Sequence, residues 1–273
     1  ADDPAWVAPL NVQMKERLTP KKNPFFQHAD VALFTAWKDG KLGGRISAQV
    51  DYEHLRIHGD ETGFFGFFDT IEDQEVATAL VSRAASWLAE RGMSSMRGPC
   101  SLSINDEAGL MIEGFDKPSV IMTPHHRVYQ AALTEGAGLR KVKDCYCWWY
   151  DVAAPTPRAQ EAWDAITGLP EVRFRSIDGK SLDRDVYDIL DVYNDAFRHN
   201  WGFVPVTKGE AEKLADDLRA LPTDLCFFVE ISGRPVAISI ALPNLNEAIR
   251  DFGGKLNPMN GLKLWWRLRV RRP

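Results

Sequence analysis

The chain has few cysteines, and no arrangement of them fixes a metal or a disulfide framework. Its four are Cys100, Cys145, Cys147 and Cys226. They include a single C-x-C, with no further ligands at the spacing zinc requires. Cys145 and Cys147 fall in an aromatic, strand-like run, where they are expected on one face as core thiols of a reducing compartment. His125-His126 also lacks nearby ligands, and Pro124 marks a loop there, so no metal is expected. No apolar run approaches the roughly 18 residues that span a membrane, and no signal-peptide pattern opens the sequence. That reading places the protein in the cytoplasm. A net charge of only −5 gives no electrostatic case for nucleic acid. No G-x-S-x-G elbow is present to mark a covalent nucleophile.

What is present is the patterning of a globular α/β chain. Hydrophobic residues make up 45% and charged residues 26% of 273 positions, which suits one large domain or two smaller ones. Residues 1–29, carrying four prolines, read as a loose lead-in with one short helix at Val12–Leu18. Strands are expected at Val31–Lys38 and Leu42–Asp51 around an Asp39-Gly40 turn, and at Gly63–Phe68. Val76, Leu80, Ala84, Trp87 and Leu88 then keep helical spacing over Glu75–Arg91, with Thr70 the expected cap and Gly92 the stop. A strand at Ser95–Cys100, a helix at Arg127–Glu135 and a strand at Val142–Asp151 complete a first domain of 30–152. A proline-containing linker covers 153–170.

The second half reads as a strand at Glu171–Ser176 and a helix at Leu182–His199. A second helix follows, with Thr207 and Glu210 as a capping box and Leu214, Leu218 and Leu221 as its stripe. A hairpin at Leu225–Leu242 ends the regular pattern. Val31–Asp51 and Leu225–Asn244 share one pattern, yet the strand and helix that follow the first have no counterpart after the second. Residues 171–273 are therefore expected to be an incomplete second copy of an α/β (α+β) unit, a mixed sheet flanked by helices. The order strand, two helices, hairpin opens the N-acetyltransferase fold, among other α+β folds.

Longer strings narrow this. GFFGFFD at Gly63–Asp69, RGPCSLSINDEAGLMIEGFDKP at Arg97–Pro118, YNDAFRHNWGFVPVT at Tyr193–Thr207, ISGRPVAISIALPNLNEAI at Ile231–Ile249 and GGKLNP at Gly253–Pro258 stand together. From about Asn23 onward the chain resembles the bacterial tandem acyltransferase-like family that includes the bacterial ceramide synthases. The resemblance implies two fused acetyltransferase-like domains and transfer of an acyl group from acyl-coenzyme A, as co-substrate, to an amine such as a sphingoid long-chain base. No tightly bound cofactor is implied. Such folds hold the coenzyme A pyrophosphate on a glycine-containing turn at a helix N-terminus. The matching turn here, Asp69–Glu75, has no glycine and four carboxylates. The first domain is thus not expected to hold the donor in the usual way, and the second would reach its own turn only beyond Pro273. The expectation is a chain inactive by itself. The resemblance leaves open a small-molecule amine acetyltransferase, or a non-catalytic module that binds a ligand or partner.

Amine acylation needs a proton acceptor, a positioned amine and oxyanion donors. Glu107 and His199 are candidate bases, with Glu113 and Glu247 also considered. Asn105, in the polar loop Ser101–Gly109, together with Asn200, Trp201, Asn244, Asn246 and Glu247, are candidate substrate contacts. Each has a plain alternative as a turn, cap or core residue. Lys263–Arg272 mixes two tryptophans with five basic side chains. It reads as a helix connecting two strands, the alternative being a peripheral contact with an anionic inner-membrane surface.

Overall fold

Gly63–Phe68 lies at the centre of the first sheet in a computed structural model that describes residues 3–150, 154–177, 181–219 and 226–271. The chain divides into two compact units, one of residues 1–142, 200–205 and 244–273, the other of 143–199 and 206–243.

The first unit begins with α1 (Asn11–Arg17), β1 (Ala29–Lys38), β2 (Lys41–Asp51), α2 (Tyr52–His58), β3 (Thr62–Thr70) and α3 (Gln74–Ala89). Then come β4 (Ser95–Arg97), β5 (Cys100–Ser101), β6 (Glu107–Ala108) and α4 (Gln130–Gly136). Strands β1, β2 and β3 pair antiparallel, and β4 joins β3 in parallel, giving a mixed sheet. The β1–β2 turn places Asp39 and Gly40 at positive φ, as a two-residue hairpin requires.

The predicted stripe of α3 is buried against Ile46, Ala48, Val50, Phe65 and Phe68 of the sheet. Each large side chain hidden this way contributes about 2 kcal/mol. The glycines of β3 set how closely its neighbours approach. A Cβ on Gly63 would lie 2.4 Å from a Leu88 methyl, and one on Gly66 only 1.9 Å from the Cys100 carbonyl oxygen. The helix is capped by Asp73 rather than Thr70: its carboxylate accepts from the N–H groups of Glu75 and Val76 at 3.0 and 3.1 Å. Lys38 bridges Asp73 and Glu75. The lead-in is not loose, since Val7, Leu10 and Phe25 are buried in two small cores.

The second unit contains α5 (Pro157–Thr167), β7 (Val172–Ser176), α6 (Leu182–Phe197), α7 (Lys208–Leu218), β8 (Phe227–Ile231) and β9 (Arg234–Ser239). Its sheet is antiparallel in the order β7-β8-β9. The Thr207–Glu210 capping box forms as expected. Helix α7 packs through Ala211 and Ala215, while Leu214 is exposed; Leu221 and Leu225 lie outside the described residues. Arg175 ties the fully buried Asp185 (2.9 Å) to Glu230 (2.6 Å) and lies over Phe228. Burial pushes the Asp185 carboxyl up, but hydrogen bonds from Ser181 and Arg175 outweigh it and hold the group below its usual range.

The strand expected at Val142–Asp151 is not formed over 142–150, and Asp151 lies outside the described residues. Cys145 and Cys147 are exposed rather than core, because no strand among the described residues pairs with this run. Back in the first unit, α8 (Leu245–Ile249) and α9 (Pro258–Trp266) follow, and α9 runs into a wider π-helical turn at Arg267–Arg271. No described helix is long and apolar enough to cross a membrane.

Candidate functional site

Two polar clusters in the first unit collect most of the residues singled out from the sequence. The first surrounds the loop after β5. Ser103 Oγ accepts from the Asn105 N–H, and Asn105 Nδ2 donates to the Val204 carbonyl at 2.9 Å. Segment 200–205 is thereby seated on this loop although about a hundred residues separate the two. Gly202 packs so closely on Ile104 that a Cβ would sit 2.8 Å from its terminal methyl. Trp201 lies under the Arg97 guanidinium at 5.0 Å. His58 donates from Nε2 to the Phe203 carbonyl at 2.8 Å. Asn200 is exposed, and its carbonyl accepts from the Phe203 N–H.

Arg17, from the segment read as lead-in, fastens the same loop. It donates to the Ser101 carbonyl at 2.6 Å, pairs with Glu107 at 3.2 Å and stacks over Phe67. Glu107 is thus engaged by an arginine. His199 belongs to the second unit, where Arg198 Nε donates to its Nε2 at 3.1 Å. Glu113 is exposed in a loop.

The second cluster joins the N-terminal segment, the loop before α4, and α8. Ala5 N–H donates to Asp3, Ser119 N–H donates to the Ala5 carbonyl, and Arg250 donates to the Pro4 carbonyl. Asn246 Nδ2 donates to the Ser119 carbonyl at 3.0 Å. Asn244 Nδ2 donates to Glu247 at 3.3 Å, while Asn244 Oδ1 is buried with no hydrogen-bond partner.

In this cluster His125 Nε2 donates to Asp3 Oδ2 at 2.9 Å, and the imidazole is 5% exposed. That hydrogen bond holds the Asp3 carboxyl below its usual range. In the neutral ring that bond puts the proton on Nε2 and leaves the lone pair on Nδ1, an atom buried without a hydrogen-bond partner. Within this cluster His125 Nδ1 and Asn244 Oδ1 are both acceptors, the polarity an amine N–H requires; His54 Nδ1 is buried in the same way elsewhere in the unit. The sequence raises His125 only as a metal candidate and not as a base, since Asp3 is 122 residues away.

His126 has a different task. Its Nδ1 accepts from the Met111 N–H at 3.1 Å, and burial pushes the imidazole down to about 4. His54, stacked on His58 and bonded to Asp60, is also pushed down by burial. The unfolded chain binds both protons first, near pH 6.5. Stability is therefore complete above about pH 6.5 and is lost as the pH falls toward 4, by up to about 3 kcal/mol for His126. Thermal melts between neutral pH and about pH 4.5 should show a falling Tm that His126→Gln flattens. An unchanged slope in that variant would contradict the assignment.

These features define a mixed α/β protein whose first unit holds a carboxylate-oriented imidazole. The chain is 39% identical over 272 residues to Protein YghO of Escherichia coli, covering 98% of this chain and 69% of that protein. It is also 39% identical over 274 residues to the bacterial ceramide synthase of Caulobacter vibrioides, covering 99% of this chain and 71% of that protein. The chain belongs to the bacterial ceramide synthase family. No protein-family model matches it, and neither does any solved structure.

Proposed function

We propose that this protein is an N-acyltransferase that moves an acyl group from acyl-coenzyme A to the amine of a sphingoid long-chain base. The observation that carries this reading is the 39% identity, across nearly the whole chain, to a protein named as a ceramide synthase. The tandem acetyltransferase architecture fits it. In the first unit three antiparallel strands lead through α3 to a parallel fourth, and the second unit supplies a strand, two helices and a hairpin. The Asp69–Glu75 turn is not a pyrophosphate site in this reading, because Asp73 already occupies the first amides of α3.

The acceptor amine attacks the thioester carbonyl directly. A C–N bond forms, the C–S bond breaks, and the leaving coenzyme A thiolate is protonated. The amine must lose a proton, and His125 Nδ1 accepts it while Asp3 holds the ring in the required tautomer. Asn244 Oδ1 accepts the amine's second N–H, and Asn246 and Glu247 position it. Trp201 walls the groove for an apolar chain, and Asn105 and Asn200 are polar substrate contacts. In this reading the base is His125 and not Glu107, which pairs with Arg17, or His199.

Competition between palmitoyl- and acetyl-coenzyme A on the full-length protein, with sphinganine as acceptor, tests donor class. Preference for palmitoyl supports the reading. Preference for acetyl transfer to small amines would favour the acetyltransferase alternative, and binding without transfer would favour a non-catalytic module.

A further inference from the structure

We infer that α9 and the turn after it form a docking surface for an anionic lipid bilayer. Charge distribution comes first. The 22 residues from Phe252 onward hold six of the chain's 33 basic side chains and none of its 38 acidic ones. A chain with a net charge of −5 thus concentrates cations in one short segment.

Geometry comes second. Leu264 packs toward the core formed by Val7, Leu10, Ile249 and Phe252, and Leu268 is buried. Arg267 is anchored by the Ala248 carbonyl at 2.6 Å and by Asp251 at 3.0 Å. These contacts fix which side of the helix faces the protein. On the opposite side Met259, Leu262, Trp266 and Val270 recur at steps of three and four residues, with Trp265 beside them. All five are exposed, Met259 and Leu262 to 67% and Trp265 to 59%. Lys255, Lys263 and Arg269 flank this apolar face and are exposed as well.

The rim carries Lys255, Lys263 and Arg269 together with Asp251, which pairs with Lys263 at 3.8 Å, and the surplus of positive charge matches the phosphates of an anionic leaflet. The tryptophans supply the amphipathic rings that settle at headgroup depth, and the arginine and lysine stems reach past the apolar zone to the phosphates. The helix would lie in the interface plane and not span it. This inference stands on the helix alone and does not require the acyl-transfer reading.

The test is co-sedimentation of the full-length protein with vesicles of phosphatidylcholine, with and without about 30 mol % phosphatidylglycerol. No sphingoid base or acyl-coenzyme A is added, so the outcome is independent of catalysis. Binding is expected only with phosphatidylglycerol, and should weaken at least about tenfold when salt rises from about 0.05 to about 0.5 M. Trp265→Ala/Trp266→Ala and, separately, Arg269→Glu should each weaken it about fivefold or more with the circular dichroism spectrum unchanged. Three results would overturn the proposal: no binding to either vesicle, equal binding to both, or retention of binding in both variants. A dimer that the tryptophan variant dissociates, with no vesicle binding, would assign the face to a second copy of the chain instead.

Discussion

Replacing His125 by Gln is expected to lower kcat for acyl transfer by about 10²–10⁴-fold, with little change in KM and an unchanged melting temperature. The glutamine amide can still donate to Asp3, so the half-buried carboxylate keeps its partner and the fold is preserved. What disappears is the lone pair that His125 Nδ1 offers, the atom left buried and unpartnered by the ring's other bond. Asp3→Asn tests the same geometry from the other side. The asparagine no longer enforces the tautomer that exposes Nδ1, and a loss of about tenfold or more is expected. If both variants stay within about threefold of the parent, the pair is structural and the proton goes elsewhere.

The largest expected stability effect comes from a residue with no side chain. Gly66→Ala should destabilise the first unit by about 3 kcal/mol or more. Its Cβ would meet the Cys100 carbonyl oxygen at 1.9 Å. That oxygen has no room to retreat: it accepts from Gln49 Nε2 at 2.6 Å, and Gln49 is itself buried and bonded to Ser47 and the Leu102 carbonyl. The neighbouring Phe67 N–H also donates to Ser101 Oγ. Gly63→Ala is the control, because there the clash is with methyl groups of Leu88, which can turn aside. It should cost only about 1–2 kcal/mol. Urea denaturation of both variants decides the matter. Equal costs, or a tolerated Gly66→Ala, would show that β5 is not held against β3 as described.

The regular core was legible because burial imposes periodicity. The stripe of α3, the apolar run of β3 and the Thr207–Glu210 capping box each follow from the residues that must be hidden or capped. Elsewhere local chemistry pointed two ways. Pro155 and Pro157 read as linker, yet Pro157 is the first residue of α5 and Thr156 caps it with an acceptor bond from the Ala159 N–H. Helix α2 escaped notice because β2 passes into it without a glycine or proline, Asp51 ending the strand and capping the helix together. The aromatic run at 142–150 has strand composition, but pairing depends on a neighbouring edge, which composition does not supply.

The candidate site was half legible for a similar reason. Asn105, Asn200 and Trp201 stood out as polar or aromatic residues at element ends, and the fold gathers them around one loop. The Asp3–His125 pair is made by tertiary contact between a segment read as loose and a loop read only for metals. Arg17, which ties Glu107 and the Ser101 carbonyl, is likewise visible only after folding.

The most direct measurement is mass spectrometry of the products formed when the full-length protein is given palmitoyl-coenzyme A and sphinganine. N-palmitoyl-sphinganine is expected together with an equal amount of free coenzyme A, both lost in His125→Gln. Folded protein that binds both substrates and yields neither product would contradict it.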